Sequence, residues 1–263
     1  MTERKRIACF FTGGYTELNA MKSFMKKINA DADFIQLCPV ALKKSREAIR
    51  NRKSIGGSQS GLTGASLINY VLEEVGEKYF VREMYDAILI EDDKDERFLN
   101  DGSDIDLGKW YAYQKDVRQQ LALRGVTIPV IMFLAAPEVE AWFLSDWENS
   151  FGWVYKYSGK LDSEQNNYFS HRFREYVNKD ILTERYADRI EAYGLFEKKY
   201  KKLSEEIQTA LSTIDFLKNF GPTSIRYSKK TEGQAMLENI DPETVLRHCS
   251  VFFKEGYLAL QNI

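Results

Sequence analysis

Histidine is nearly absent from this chain: His171 and His248 are the only two in 263 residues, which argues against a zinc centre built on imidazoles. Cysteine is scarce as well. Cys9, Cys38 and Cys249 are three in number, widely spaced and without a CxxC pair, so neither a disulfide framework nor a thiolate metal site is expected. Cys9 and Cys38 fall in predicted buried strands, and reduced thiols in a cytoplasmic setting are the expectation. No stretch is long and apolar enough to span a bilayer. The opening Met1-Thr2-Glu3-Arg4-Lys5-Arg6 is charged, and the apolar run behind it is too short for a signal-peptide core. A net charge of −2 excludes a generally polycationic protein, so any nucleic-acid surface must be local. Internal repeats and low-complexity tracts are missing, and so are a Walker lysine motif and GxGxxG, which leaves a nucleotide phosphotransfer enzyme without support.

What remains is 44% hydrophobic residues, enough to bury a substantial core. Residues 1–146 alternate strand and helix. Ile7–Phe11 reads as a first strand, and Leu18, Met21, Met25 and Ile28 recur at helical spacing on Glu17–Asn29. Asp33–Val40 reads as a second strand. Polar residues follow, then a helix carrying Leu67, Val71, Leu72 and Val75. Ala87–Ile90 and Ile128–Leu134 read as further strands, separated by a helix over Leu107–Arg124. A helix starting at Pro137, a favoured first-turn residue, comes next. Short apolar strands linked by helices predict a parallel sheet covered on both faces, an α/β fold. From about Trp147 helical patterns dominate, so residues 147–263 are expected to form a mainly helical extension packed on the sheet. Asp241-Pro242-Glu243 has the form of a helix start: cap, first-turn proline and an acid that suits the dipole.

Acidic residues stand just past three of the strands: Glu17, the run Glu91-Asp92-Asp93-Lys94-Asp95, and Glu138 with Glu140. Ligands bind at the carboxyl ends of strands in open parallel sheets. Carboxylates gathered there repel one another, and a hard cation such as Mg²⁺ or Mn²⁺ is the usual reason to tolerate that. Asp93 and Asp95, two apart in extended chain, point the same way and can reach one ion. Each acid also has an ordinary reading. Asp favours turns, and a first-turn Glu such as Glu17 serves the helix dipole. Glu138 and Glu140 stand some 200° apart about a helix axis at about 100° per residue, so both are not expected to serve one site. Glu140 flanks the apolar side set by Val139, Trp142, Phe143 and Leu144. A basic run with Lys43, Lys44, Arg50 and Arg52 precedes the glycine-rich Ser54–Gly61, a pattern suited to nucleic-acid phosphates and equally to a solvated surface.

Gly-x-Thr-Glu after strand one, Asp-x-Asp after strand three and Pro-Glu-x-Glu-Ala-Trp-x-Leu-x-Asp after strand four together resemble Toprim-like proteins. The nearest pattern is a bacterial family with a Glu-Ala-Trp-Leu motif, related to the nuclease domains of overcoming-lysogenization-defect proteins. Tyr227-Ser228-Lys229-Lys230 through Gly233, Ile240–Glu243 and Phe252-Phe253 extend the resemblance over most of the chain. It implies a Toprim/Rossmann-like sheet, Mg²⁺ or Mn²⁺ as cofactor, DNA or RNA as substrate and an ATPase partner in antiviral defence. By position it makes Glu17, Asp93, Asp95, Glu138 and Glu140 metal ligands, with Glu17, Asp93, Asp95 and Glu140 catalytic. Lys43, Lys44, Arg50 and Arg52 would then engage phosphates. The chain departs from the pattern once, with Gly13 where the family's first Glu stands. Two expectations follow: a metal-dependent nuclease, and, on the strength of Gly13, a degenerate binding subunit that docks on an ATPase or senses a viral component. Acids pinned by lysine or arginine partners would favour the second.

Overall fold

A computed structural model describes residues 4–12, 14–39, 61–100, 105–157, 162–182, 190–193, 202–213 and 226–263. Four strands, β1 (Arg6–Phe11), β2 (Asp33–Cys38), β3 (Ala87–Asp93) and β4 (Val130–Ala135), form one parallel sheet in the order β2-β1-β3-β4. Helices α1 (Tyr15–Ile28), α2 (Gly64–Glu74), α3 (Lys78–Glu83) and α4 (Leu107–Leu123) fall between them, and the protein is an α/β fold with further helices after β4. These are α5 (Glu140–Ser145), α6 (Phe151–Tyr157), α7 (Ser163–Tyr176), α8 (Leu203–Thr213), α9 (Gln234–Asn239), α10 (Pro242–His248) and α11 (Phe252–Gln261). No helix among the described residues is long and apolar enough to cross a membrane.

Alternation along the strands divides the core in two. Ile7, Cys9, Phe11, Leu89, Ile131 and Phe133 face α1 and the C-terminal helices in one apolar cluster. Ala8, Phe10, Ile88, Ile90, Met132 and Leu134 face α2 and α4 in the other. Both faces are therefore buried, which is why the strands read as nearly continuous apolar runs.

The C-terminal half shares the core of the sheet. Trp142 of α5 is fully buried, with its ring 5.3 Å from Phe24 of α1 and 5.0 Å from Phe253 of α11. Lys27 Nζ donates to the Ile240 carbonyl at 2.8 Å, and Asn29 Nδ2 to that of Leu260 at 2.9 Å. Glu191, in a short turn at Ile190–Ala192, accepts from the backbone N–H groups of Val251, Phe252 and Phe253 and so caps the start of α11. Asp241 caps α10 as its sequence suggests, accepting from Thr244 N at 2.9 Å.

Two boundaries differ from expectation in ways that reshape the site. β3 continues through Glu91 and Asp92 to Asp93, because its parallel pairing with β4 holds as far as Asp93 opposite Ala135. The helix after β4 begins at Glu140 and not at Pro137, so Glu138 lies ahead of its first turn. Lys43, Lys44, Arg50 and Arg52, the proposed phosphate contacts, lie outside the described residues, as does Gly13.

Helix and sheet approach closely at Gly256 of α11, where a Cβ would lie 2.7 Å from the Met132 carbonyl oxygen and 2.8 Å from Phe133 Cγ. Gly256→Ala is expected to lose about 1–3 kcal/mol through this overpacking despite alanine's better helix propensity. Urea unfolding measures it. An unchanged midpoint would contradict the packing of α11 on β4.

Candidate functional site

The period of two in β3 decides which acids meet. Leu89 faces the α1 side, so Glu91 and Asp93 point there too, while Asp92 points to the opposite face with Ile88 and Ile90. Asp92 is accounted for structurally: Gly64 N at the start of α2 donates to its Oδ1 and Oδ2 at 3.0 and 3.1 Å, and Arg97 Nη2 donates to Oδ2 at 2.6 Å. Asp95 lies beyond the strand in a turn with φ 49°, a conformation Asp tolerates. It acts electrostatically on Asp92 and on the buried Lys94, whose ammonium burial pushes down to about 8. The extended-chain pairing of Asp93 with Asp95 is thus replaced by Glu91 with Asp93.

Glu17 reaches the same face from the first turn of α1. Its carboxylate folds back over Gly14, where a Cβ would stand 2.0 Å from Oε2, so the glycine leaves room for the acid. Glu138 and Glu140 arrive from the β4–α5 connection. Because α5 starts only at Glu140, the 200° separation expected on a shared helix does not apply. Both reach one cation: Lys229 Nζ is 3.4 Å from Glu138 Oε2 and 3.2 Å from Glu140 Oε1.

Lys229 opens a π-helical turn, Lys229–Gly233, that rests on the start of α1. Thr16 Oγ1 donates to the Lys229 carbonyl at 3.0 Å, and a Cβ on Gly233 would stand 2.7 Å from that same hydroxyl. Tyr227 donates its hydroxyl to Glu140 Oε1 at 2.6 Å. Ser204 of α8 donates to Glu138 Oε2 at 2.8 Å. On the β1 side, Thr12 N donates to Glu91 Oε2 at 3.1 Å.

These contacts leave much unsatisfied. Glu17 Oε2, Glu91 Oε1, Asp93 Oδ1 and Glu140 Oε2 are buried carboxylate oxygens that accept no hydrogen bond from the described residues. Burial pushes Glu17 up to about 7, helped by the charges of Glu140 and Glu138 and opposed by Lys229. Burial and then Glu17 hold Glu91 well above the usual carboxylate range, and burial with Glu91 and Glu17 does the same for Asp93. Glu140 is raised by burial against the pull of Lys229. Burial works against the Lys229 ammonium, but Glu140, Glu138, Asp93 and Glu17 outweigh it and keep it charged.

An all-oxygen donor set with open lone pairs suits a hard divalent cation. Glu17, Glu91, Asp93 and Glu140 supply the unpartnered oxygens. Among the described residues, no group of three acidic, histidine or cysteine side chains stands as a ready-made cation cage, and Lys229 holds two of the acids in ion pairs. Comparison with protein-family models, curated proteins and solved structures finds no match for this chain.

Of the residues anticipated from sequence, Glu17, Asp93, Glu138 and Glu140 gather here and Asp95 does not. Glu91, Tyr227, Ser204 and Lys229 join them without having been marked as site residues by the sequence. Glu91 was legible in principle, since it continues the alternation from Leu89. Lys229 had only its place in the Tyr-Ser-Lys-Lys run to mark it.

The raised acids give the site a pH signature. The folded chain binds protons that the unfolded chain has released between the ordinary carboxylate range and about 7 for Glu17, and above the ordinary range for Glu91 and Asp93 as well. Their contribution to stability is therefore complete at low pH and lost as pH rises through those values. Lys229, raised above its ordinary value, contributes evenly across this window. In chelator, the melting temperature is expected to fall as pH rises from about 5 through about 7. Glu91→Gln should flatten that fall, and Mg²⁺ should recover it at the upper end only. A profile that Glu91→Gln leaves unaltered would contradict the assignment.

Proposed function

We propose that the protein is a Mg²⁺- or Mn²⁺-dependent phosphodiesterase of Toprim-like type, a cytoplasmic nuclease. The observation that carries this reading is the set of unpartnered buried carboxylate oxygens on Glu17, Glu91, Asp93 and Glu140 at the strand ends. Nothing among the described residues on that face satisfies them, and a hard cation would. The motif order around Glu17, Asp93, Glu138 and Glu140 supports nucleic acid as substrate, and by the same resemblance an ATPase as partner in antiviral defence.

A divalent ion in such a site supplies an activated water and charge for the leaving oxygen. Glu17, Glu91, Asp93 and Glu140 would hold it. Tyr227 fixes Glu140 through its hydroxyl, and Ser204 fixes Glu138, so these two carboxylates are oriented before anything binds. Glu17 would serve either as one of these ligands or as the base that takes a proton from the attacking water. Lys229 sits at the edge of the set, its side chain part-exposed and its ammonium paired with Glu138 and Glu140.

One observation favours the rival reading, a degenerate binding subunit. Lys229 already pairs with Glu138 and Glu140, as a protein-borne cation would in a site that no longer takes metal. The two readings part on metal binding. Calorimetric titration with Mn²⁺ is expected to show saturable binding that Asp93→Ala weakens at least tenfold. Cleavage of DNA or RNA should require the ion and vanish in Asp93→Ala, with the variant's melting temperature in chelator unchanged or raised. Absence of saturable binding by the parent chain would leave the binding subunit as the description.

A further inference from the structure

Lys229 and a divalent cation would compete for the same carboxylates. Its Nζ stands at ion-pair distance from Glu140 Oε1 and Glu138 Oε2, at 3.2 and 3.4 Å, and the charges of Asp93 and Glu17 act on it as well. A metal ion drawn to the open Oε2 of Glu140 therefore meets an ammonium on the other oxygen of the same carboxylate. Two cations so close repel strongly in a poorly solvated pocket.

The chain supplies a way out. The backbone around Lys229 is fixed to the first turn of α1 through Thr16 Oγ1, through the close approach of Gly233, and through Gln234 and the Tyr15 carbonyl. Tyr227 holds the other end of the segment against Glu140. The Lys229 side chain, by contrast, is 39% exposed, whereas those of Glu138 and Glu140 are 3% and 0% exposed. Rotation about its own flexible stem can carry the ammonium to solvent while the backbone stays in place.

We infer that Lys229 is a tethered counter-ion that holds Glu138 and Glu140 until a divalent cation displaces it, and that displacement presents its ammonium at the mouth of the site. The inference rests on the cation-site reading above and adds its regulation. Metal binding and exposure of a phosphate-seeking charge become one event, so the site recruits a polyanion only once the ion is loaded. By linkage, a polyanion that engages the released ammonium strengthens metal binding by the same factor.

Two measurements test this. Mn²⁺ titration, followed by the paramagnetic resonance of the free ion, is expected to give Lys229→Met an affinity at least tenfold tighter than that of the parent chain. In the unmodified chain, reductive methylation read by mass spectrometry should label Lys229 several-fold faster in Mg²⁺ than in chelator, with the exposed neighbour Lys230 labelled equally in both. The labelling decides the matter should Lys229→Met fail to fold. Saturable binding by the parent with equal or weaker binding by Lys229→Met, or labelling of Lys229 that ignores Mg²⁺, overturns the displacement and leaves the cation site standing. Absence of Mn²⁺ binding by both proteins overturns the cation site and this inference with it.

Discussion

Carboxylates buried side by side at the rim of a parallel sheet cannot all be charged without a counter-charge. Glu17, Glu91, Asp93, Glu138 and Glu140 come from three separate strand ends, and the described structure sets one ammonium, that of Lys229, among them. Three devices can relieve such a cluster: protons, a protein cation or a metal ion. The raised titration of Glu17, Glu91, Asp93 and Glu140 shows the first, and Lys229 is the second. The open oxygens leave a place for the third.

That constraint explains why the C-terminal half is woven into the sheet. Tyr227, Lys229 and Ser204 all come from beyond residue 200, yet each touches an acid from the β4–α5 connection. Trp142, Phe24 and Phe253 lock α5, α1 and α11 into one aromatic cluster behind the acids. The carboxylates are thereby held on packed elements and not on free loops, which is what a preorganised charge site needs.

The fold was legible because both faces of the sheet are buried, so its strands stand out as apolar runs between helical periodicities. The site was legible only in part. Glu17, Asp93, Glu138 and Glu140 could be found from their place after strands. Glu91 is hidden in the sequence because the charged Glu91-Asp92-Asp93 run looks like the end of a strand, while ladder pairing with β4 carries the strand through it. Extended geometry would pair Asp95 with Asp93, and the turn at φ 49° removes it. Glu138 and Glu140 were set apart by a helix that starts later than Pro137 suggests. Lys229 follows β3 by more than a hundred residues, and no local pattern announces a tertiary ion pair.

The most direct measurement is crystallographic: a Mn²⁺-soaked crystal read by anomalous scattering. The account predicts a peak ligated by oxygens from Glu17, Glu91, Asp93 and Glu140, with the Lys229 ammonium swung away from Glu138 and Glu140. A map without a peak on that face, in which Lys229 keeps both ion pairs at saturating Mn²⁺, would contradict it.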